Sequence, residues 1–426
     1  MNRVTALLGL VLCYGVALPV LATEQEVEIE LEVDASTNPM AAALIELQVA
    51  IARAQQQLQA EPAFDTELDQ VDGYRHLLRS LVKGIEDGIL QDPDYPYFRI
   101  LDFWLREGGD NPDQRYAFSP VRGGEHYRIW GNMGSAARIE LQLYAGRAWD
   151  GSGRSLGYLN FEDIHVNEDG EFQIWLSPEP HDGNWLANPT EATDVFIRHV
   201  YDNWDHTRPG SAHIDRIGWE GKRQVAQSPA SLAEGIRQAS DLFTASAATW
   251  PAIVQRFEQR LPANRLSPPH DTYSQGGAKG RWMSSGHFDL KDGDALVIVM
   301  PQTAAAYQAI QLTDRWFASL EYANNVSSLN TTQSELAPDG RFYYVLSATD
   351  PGYPNWLDTG GHLKGTMLLR WDGLTEALVE AQQPIVHKLP VAELGQVIPG
   401  EPTVTEDERQ RTRAARRRHL QTTSNR

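Results

Sequence analysis

The chain repeats itself over a long distance, and that constrains its fold more than any other feature. Asp169-Gly170-Glu171-Phe172, Leu176-Ser177, Asn184-Trp185-Leu186 and Arg198 recur in the same order as Asp339-Gly340-Arg341-Phe342, Leu346-Ser347, Asn355-Trp356-Leu357 and Arg370. The offset is about 170 residues at every match, as duplication of one structural unit requires. Upstream, the stretch from Ile129 to Leu143 lines up with that from Ile298 to Leu312 in the same way. The repeated unit covers roughly residues 120–225 and 285–375.

Inside the repeat the apolar residues alternate. Ile139, Leu141 and Leu143 alternate with Arg138, Glu140 and Gln142, and Phe172, Ile174 and Leu176 follow the turn residues Glu168-Asp169-Gly170. Half-buried strands joined by hairpins are expected, with further strands at Ala295 to Met300 and Phe342 to Leu346. Turn signals about every eight to twelve residues favour antiparallel sandwiches or jelly rolls over parallel sheets.

Outside the repeat the period changes to that of a helix. Leu44, Leu47, Ile51, Ala54 and Leu58, then Leu77, Leu81, Ile85 and Ile89, recur at steps of three and four, and residues 229–261 return to this spacing. The expected fold class is therefore α+β and mainly β: two related antiparallel β-sandwich units, an N-terminal helical segment and a helical linker. The boundaries fall at a signal segment 1–22, a helical segment 23–110, a first β unit 111–228, a linker 229–265, a second β unit 266–375 and an extension 376–426.

The first residues address the chain for export. Arg3 gives a basic start, Leu7 to Leu18 an apolar run shorter than the roughly 20 residues that cross a bilayer, and Val20-Leu21-Ala22 a cleavage pattern before Thr23. A periplasmic or extracellular mature chain without a transmembrane segment is expected. The single cysteine, Cys13, lies inside that signal, which excludes disulfides, thiolate catalysis and cysteine-ligated metals from the mature part. A composition of 41% hydrophobic residues, with 12 Trp, 15 Tyr and 12 Phe, suffices for packed cores, and a net charge of −20 argues against nucleic acid as a partner.

Gly109-Asp110-Asn111-Pro112-Asp113 through Tyr116, Tyr127-Arg128-Ile129-Trp130-Gly131 and both Asn-Trp-Leu blocks resemble the family known as domain of unknown function 1214. The stretch from Pro354 through Asn355-Trp356-Leu357 to Arg370-Trp371 is the fuller match, and that from His181 through Asn184-Trp185-Leu186 to Arg198 the looser one. The resemblance implies a β-sandwich of jelly-roll type and carries no reaction with it.

Two readings apply to the repeated blocks. In one, the Asn caps a turn, the Trp plugs the sandwich and the later Arg pairs with a carboxylate. In the other, Trp185, Arg198, Asn355, Trp356 and Arg370 line a pocket, an indole face stacking on a planar, sugar-like or anionic group while the guanidinium donates. Residues present in one copy only are the better candidates for a specialised site, which adds Tyr322, Asn324, Asn325 and Tyr353. His181, Asp182, His199, Asp202, Asp205 and His206 offer nitrogen and carboxylate ligands to zinc or calcium. The second copy lacks them, so the repeat does not require a metal, and no cofactor is evident.

No nucleophile elbow, zinc-protease motif, phosphate loop or dinucleotide fingerprint is present. A carboxylate pair meeting across a cleft stays open, because sequence does not give separations. The expected function is binding of a lipid, sterol-like or sugar-containing small molecule in the cell envelope. The alternative is a hydrolase or lyase acting on a glycan or ester. The Arg-rich end from Arg409 to Arg426 reads as a basic helix that stays in solvent, docks on an acidic face of its own body, or meets anionic lipid or a partner protein.

Overall fold

A computed structural model describes residues 3–10, 27–34, 38–146, 153–273 and 280–424. The backbone of β1 (Arg3–Leu10) pairs antiparallel with β2 (Val27–Asp34). The expected cleavage pattern Val20-Leu21-Ala22 and Cys13 lie outside the described residues.

Both N-terminal helices start on side-chain caps. Asn38 accepts from the Ala41 amide at 3.1 Å to open α1 (Pro39–Ala60), and Thr66 and Asp69 form a reciprocal capping box for α2 (Glu67–Ile85). α3 (Pro229–Arg260), opened by Ser228 and Pro229, lies against both. It crosses α2 so closely that a side chain at Gly84 would meet the Ala239 carbonyl at 2.5 Å. The segment expected as a linker is therefore the third member of one helical layer. Leu58, Leu77 and Phe243 close that layer around Trp316 of the second β unit, whose indole donates to the Asp69 carbonyl at 2.8 Å.

The first β unit contains β3 (Arg99–Leu101), β4 (Gln114–Pro120), β5 (Tyr127–Asn132), β6 (Arg138–Ala145), β7 (Arg154–Leu159), β8 (Glu171–Ser177), β9 (Asn184–Ala187), β10 (Asp194–Val200) and β11 (Ser211–Arg216). Its inner sheet has the order β3-β4-β10-β6-β7, and its outer sheet β11-β5-β8-β9. Ile129, Ile139, Leu141, Ile174, Leu176 and Ile197 fill the space between them.

The second unit contains β12 (Arg265–Leu266), β13 (His270–Asp271), β14 (Trp282–Asp289), β15 (Asp294–Pro301), β16 (Tyr307–Thr313), β17 (Ser328–Asn330), β18 (Arg341–Ser347), β19 (Trp356–Asp358), β20 (Lys364–Asp372) and β21 (Ile385–Pro390). Its inner sheet runs β12-β14-β20-β16-β17, with β13 also on β14, and its outer sheet β19-β18-β15-β21. Strand for strand this is the order of the first unit. It includes the one parallel pairing in each outer sheet, β8 with β9 and β18 with β19. The repeat in sequence is a repeat in topology. The strands before and after these turns lie in different sheets, so the expected hairpins are instead tight turns leading into β8 and β18, where Gly170 and Gly340 adopt φ of +80° and +77°, a conformation that glycine takes without steric cost.

The two inner sheets face one another, with Val200 packed on Tyr307 and Ala309. That explains why β10 and β16 are buried along their whole length while β8 alternates between exposed and buried. The loop Gly109-Asp110-Asn111-Pro112-Asp113 pins this junction. Tyr307 donates to Asp113 at 2.6 Å and Asn330 to its other oxygen at 2.9 Å, while burial pushes the Asp113 carboxyl up to about 6. α4 (Glu406–Thr423) closes the chain by docking on the body.

Candidate functional site

The outer sheet of the first unit turns an uncovered face to solvent. Strand alternation places Arg128, Trp130 and Asn132 of β5, Glu171, Gln173 and Trp175 of β8, and His213 and Asp215 of β11 on it. Those of β5 and β8 border a groove of about 740 Å³. Trp130 is 39% exposed. Its indole stacks on His213 at 4.2 Å and donates to Asp215 at 2.8 Å, while Arg128 donates to the same carboxylate oxygen at 2.8 Å. Trp175 sits on the neighbouring strand opposite Arg128 and stacks on His181 at 4.1 Å. The indoles are thus held in place by their neighbours.

The residues singled out in the sequence scatter around this face. His181 stacks on Trp175 and bonds the Asp182 carbonyl at 2.8 Å, and Asp182 lines the groove. Asp205 and His206 are exposed in the loop before β11, next to the Asn132 end of β5, whereas His181 lies near the Tyr127 end. The four residues do not come together. His199 is buried in the sandwich and bonds the Asn132 carbonyl at 3.2 Å, and burial pulls its pKa down to about 4. Among the described residues no group of three or more His, Cys, Asp or Glu is placed to hold a metal ion.

The Asn-Trp-Leu blocks are structural locks in both copies. Asn184 binds the His165 amide and carbonyl at 2.7 and 2.9 Å, and Asn355 does the same to Glu335 at 2.8 Å each. Trp185 donates to Ser177 Oγ at 3.1 Å, and Trp356 to Ser347 Oγ at 3.0 Å. The expectation that the Trp plugs the sandwich needs correcting. Parallel pairing puts Leu186 and Leu357 into the cores and sends both indoles to the outer faces. Trp185 is half-buried beside the open face, while Trp356 is 6% exposed, with the Arg409 guanidinium 5.3 Å from its ring centre.

Arg198 and Arg370 also occupy matching places, on the inner sheets. Arg198 donates to Gln142 at 3.0 Å, and Arg370 binds Gln311 and the Gly109 carbonyl, the latter at 2.6 Å. At this junction two buried carboxylates, Glu140 and Asp372, share one guanidinium. Arg281 supplies it, with two bonds to Asp372 at 2.7 and 2.8 Å and contacts to Glu140 at 3.3 Å. Although burial opposes ionisation of Asp372, Arg281 and Arg138 hold its pKa below the ordinary carboxylate value. It is an ion-pair partner of Arg281 and Arg138.

The second-copy candidates carry α4. Arg416 donates to the Tyr322 carbonyl at 2.9 Å, Arg417 to Asn324 at 3.2 Å and Arg409 to the Tyr353 carbonyl at 2.6 Å. His419 stacks on Trp204 at 4.3 Å. Asn325 is half-buried, 3.6 Å from where a side chain on Gly360 would begin. Tyr322, Asn324 and Tyr353 therefore form a seat for the C-terminal helix, so the docked form of the basic tail is the one the fold adopts.

Sequence reasoning did not single out Trp130, Trp175, His213, Gln173 or Arg128 as site residues. The signal was present in the aligned copies. Where the first has Arg128, Trp130, Gln173 and Trp175, the second has Val297, Val299, Tyr343 and Val345.

Residues 144–202, from the end of β6 to just beyond β10, match the family model described as a protein of unknown function, DUF1214. Among solved structures the chain is similar to an uncharacterised protein from Burkholderia cenocepacia, with 25% identity over 85% of this chain and 100% of that one and a TM-score of 0.78. It also aligns with a protein from Vibrio parahaemolyticus at 10% identity, over 75% and 98% of the two chains, with a TM-score of 0.43. None of the curated proteins matches this chain. No helix among the described residues is long and apolar enough to cross a membrane.

Proposed function

From the premise that this chain carries a DUF1214 segment within a duplicated β-sandwich, we propose that it is an exported binding protein whose first unit holds a sugar-containing ligand on its open outer face. The observation that carries this is the set of Trp130, Trp175 and Trp185 on one solvent-facing sheet, interleaved with Arg128, Gln173 and Asp182. A sugar ring has an apolar C–H face and a polar rim. An indole plane suits the face, and amide, carboxylate and guanidinium groups suit the rim. Trp130 and Trp175 are diagonal neighbours on adjacent strands, about 7–8 Å apart by sheet geometry, so one extended ligand reaches both. Fixing the indoles on His213 and His181 lowers the ordering cost of binding.

The test is calorimetric titration of the full chain with cellohexaose, chitohexaose and soluble peptidoglycan fragments, repeated with Trp130→Ala and Trp175→Ala. At least one saccharide is expected to bind saturably and to lose affinity severalfold in both variants. Absence of binding to all three classes, or binding indifferent to both substitutions, would falsify the reading. N-terminal sequencing of the protein recovered outside the cytoplasm tests export, with Thr23 the expected first residue.

A further inference from the structure

A second cavity lies away from the sugar face, between the inner sheet of the first unit and the helical layer. Its volume is about 170 Å³, its exposed lining is mainly apolar, and Tyr116, Phe118, Phe196, Leu101 and Trp250 contribute to it. The rings on one side are nearly parallel. Tyr116 and Phe196 lie 5.3 Å apart with 10° between their planes, and Phe118 and Phe196 4.2 Å apart with 12°.

The duplicated unit shows what a filled version looks like. Strand register makes Met283 the counterpart of Tyr116 and Leu368 that of Phe196. There Leu368 packs on Phe317, Trp250 and Val254, with Met283 and Phe257 against them. Phe317 reaches this place with φ of +63°, a conformation rarely adopted outside glycine, so the second unit accepts backbone strain to fill its space.

Charged groups at the wall of the cavity are already matched. Lys83 pairs with Glu107, Arg198 lies 3.9 Å from the Glu140 carboxylate and 4.0 Å over the Phe196 ring, Asp110 accepts from the Ser319 amide at 3.1 Å, and Asp194 has a partner of its own. A ligand there has no charge to neutralise, and burying one would be costly. An apolar cavity of about 150 Å³ is large enough for benzene. We infer that this chamber binds a small, uncharged molecule with a flat aromatic ring, laid against the Tyr116, Phe196 and Phe118 wall.

Toluene and indole are the probes, added to the full-length protein at millimolar concentration and followed by ligand-observed NMR and by the thermal midpoint. The wild type should bind at least one of them saturably with a rise in midpoint. Leu101→Trp, which fills the chamber, should abolish both signals while keeping any saccharide titration of the outer face unchanged. Phe196→Leu, which copies the second unit, provides a milder variant and should weaken binding by roughly threefold to tenfold, the range for loss of one aromatic pair. A wild type that binds neither probe, or probe binding that survives both substitutions, overturns the inference. Because the two sites share no residue, loss of one leaves the other standing.

Discussion

The outer faces of the two β units have the same strand order and the opposite fate. In the first unit the face carries Arg128, Trp130, Gln173 and Trp175 and stays open. In the second the matching positions are Val297, Val299, Tyr343 and Val345, and Leu394 and Ile398 from the segment after β21 fold over them into a closed apolar cluster. An aliphatic sheet face left in water would cost free energy in proportion to its area, so the second copy needs a cover. A polar and aromatic face does not. The two supports share one strand order, and the side chains decided which became core and which became surface.

The largest effect should separate the two tryptophans that occupy equivalent strands. Trp356→Ala removes a buried ring bonded to Ser347 and covered by Arg409, and should cost about 3–5 kcal/mol in chemical denaturation. Trp185→Ala at the half-buried counterpart should cost less than half of that. Equal losses would mean that the two faces are equally buried.

Removing the cover itself comes next. Leu394→Ala should cost about 2–5 kcal/mol, because Leu394 is 1% exposed between the extension and the sheet. A loss well under 1 kcal/mol, measured the same way, would show that the extension only rests on the second unit.

Acid should act on the first unit before the second. His199 lies in the first core, where the second copy has Trp371, and burial lowers its folded pKa to about 4 from an ordinary value near 6.5. A histidine kept neutral by folding contributes stability above pH 6.5 that is lost as the pH falls toward 4, by about 3 kcal/mol in all. Asp113 acts in the opposite sense, since a carboxyl raised to about 6 favours folding as the pH drops from there toward 4. Melting curves of wild type and His199→Gln between pH 7 and pH 4 isolate the histidine. The variant should lose part of the acid sensitivity, and identical pH profiles would remove His199 from the explanation.

The smallest stability change belongs to the open face. Trp130→Ala should move stability by no more than about 1 kcal/mol, yet weaken saccharide binding more than any substitution in the second unit. A fold loss comparable to that of Trp356→Ala would identify Trp130 as a structural residue.

Much of the architecture was legible in the sequence because it rests on local period and on repetition. The alternation at Ile139, Leu141 and Leu143 reads as a strand wherever it falls, and the helical spacing from Leu44 to Leu58 reads as a helix. The Asn-Trp-Leu blocks were also visible, since a side chain that locks a turn acts within its own neighbourhood. The residues of the open face were harder to single out. A strand with one polar face has the same period whether that face meets solvent, a second sheet or a ligand, so Trp130 and Trp175 carry no local mark of the open face they share.

By itself, then, the sequence determined two copies of one strand order, the helices around them and the side chains offered on each face. Tertiary structure decided what each face meets. It brought Leu394 and Ile398 onto the second outer sheet, placed α4 over Tyr322, Asn324 and Tyr353, and set the inner sheets against each other through Arg281, Glu140 and Asp372. These contacts join residues far apart in the chain, and local period carries no information about such pairings. They form because burying apolar surface and matching charge across the whole molecule outweigh the entropy of closing the long loops between them.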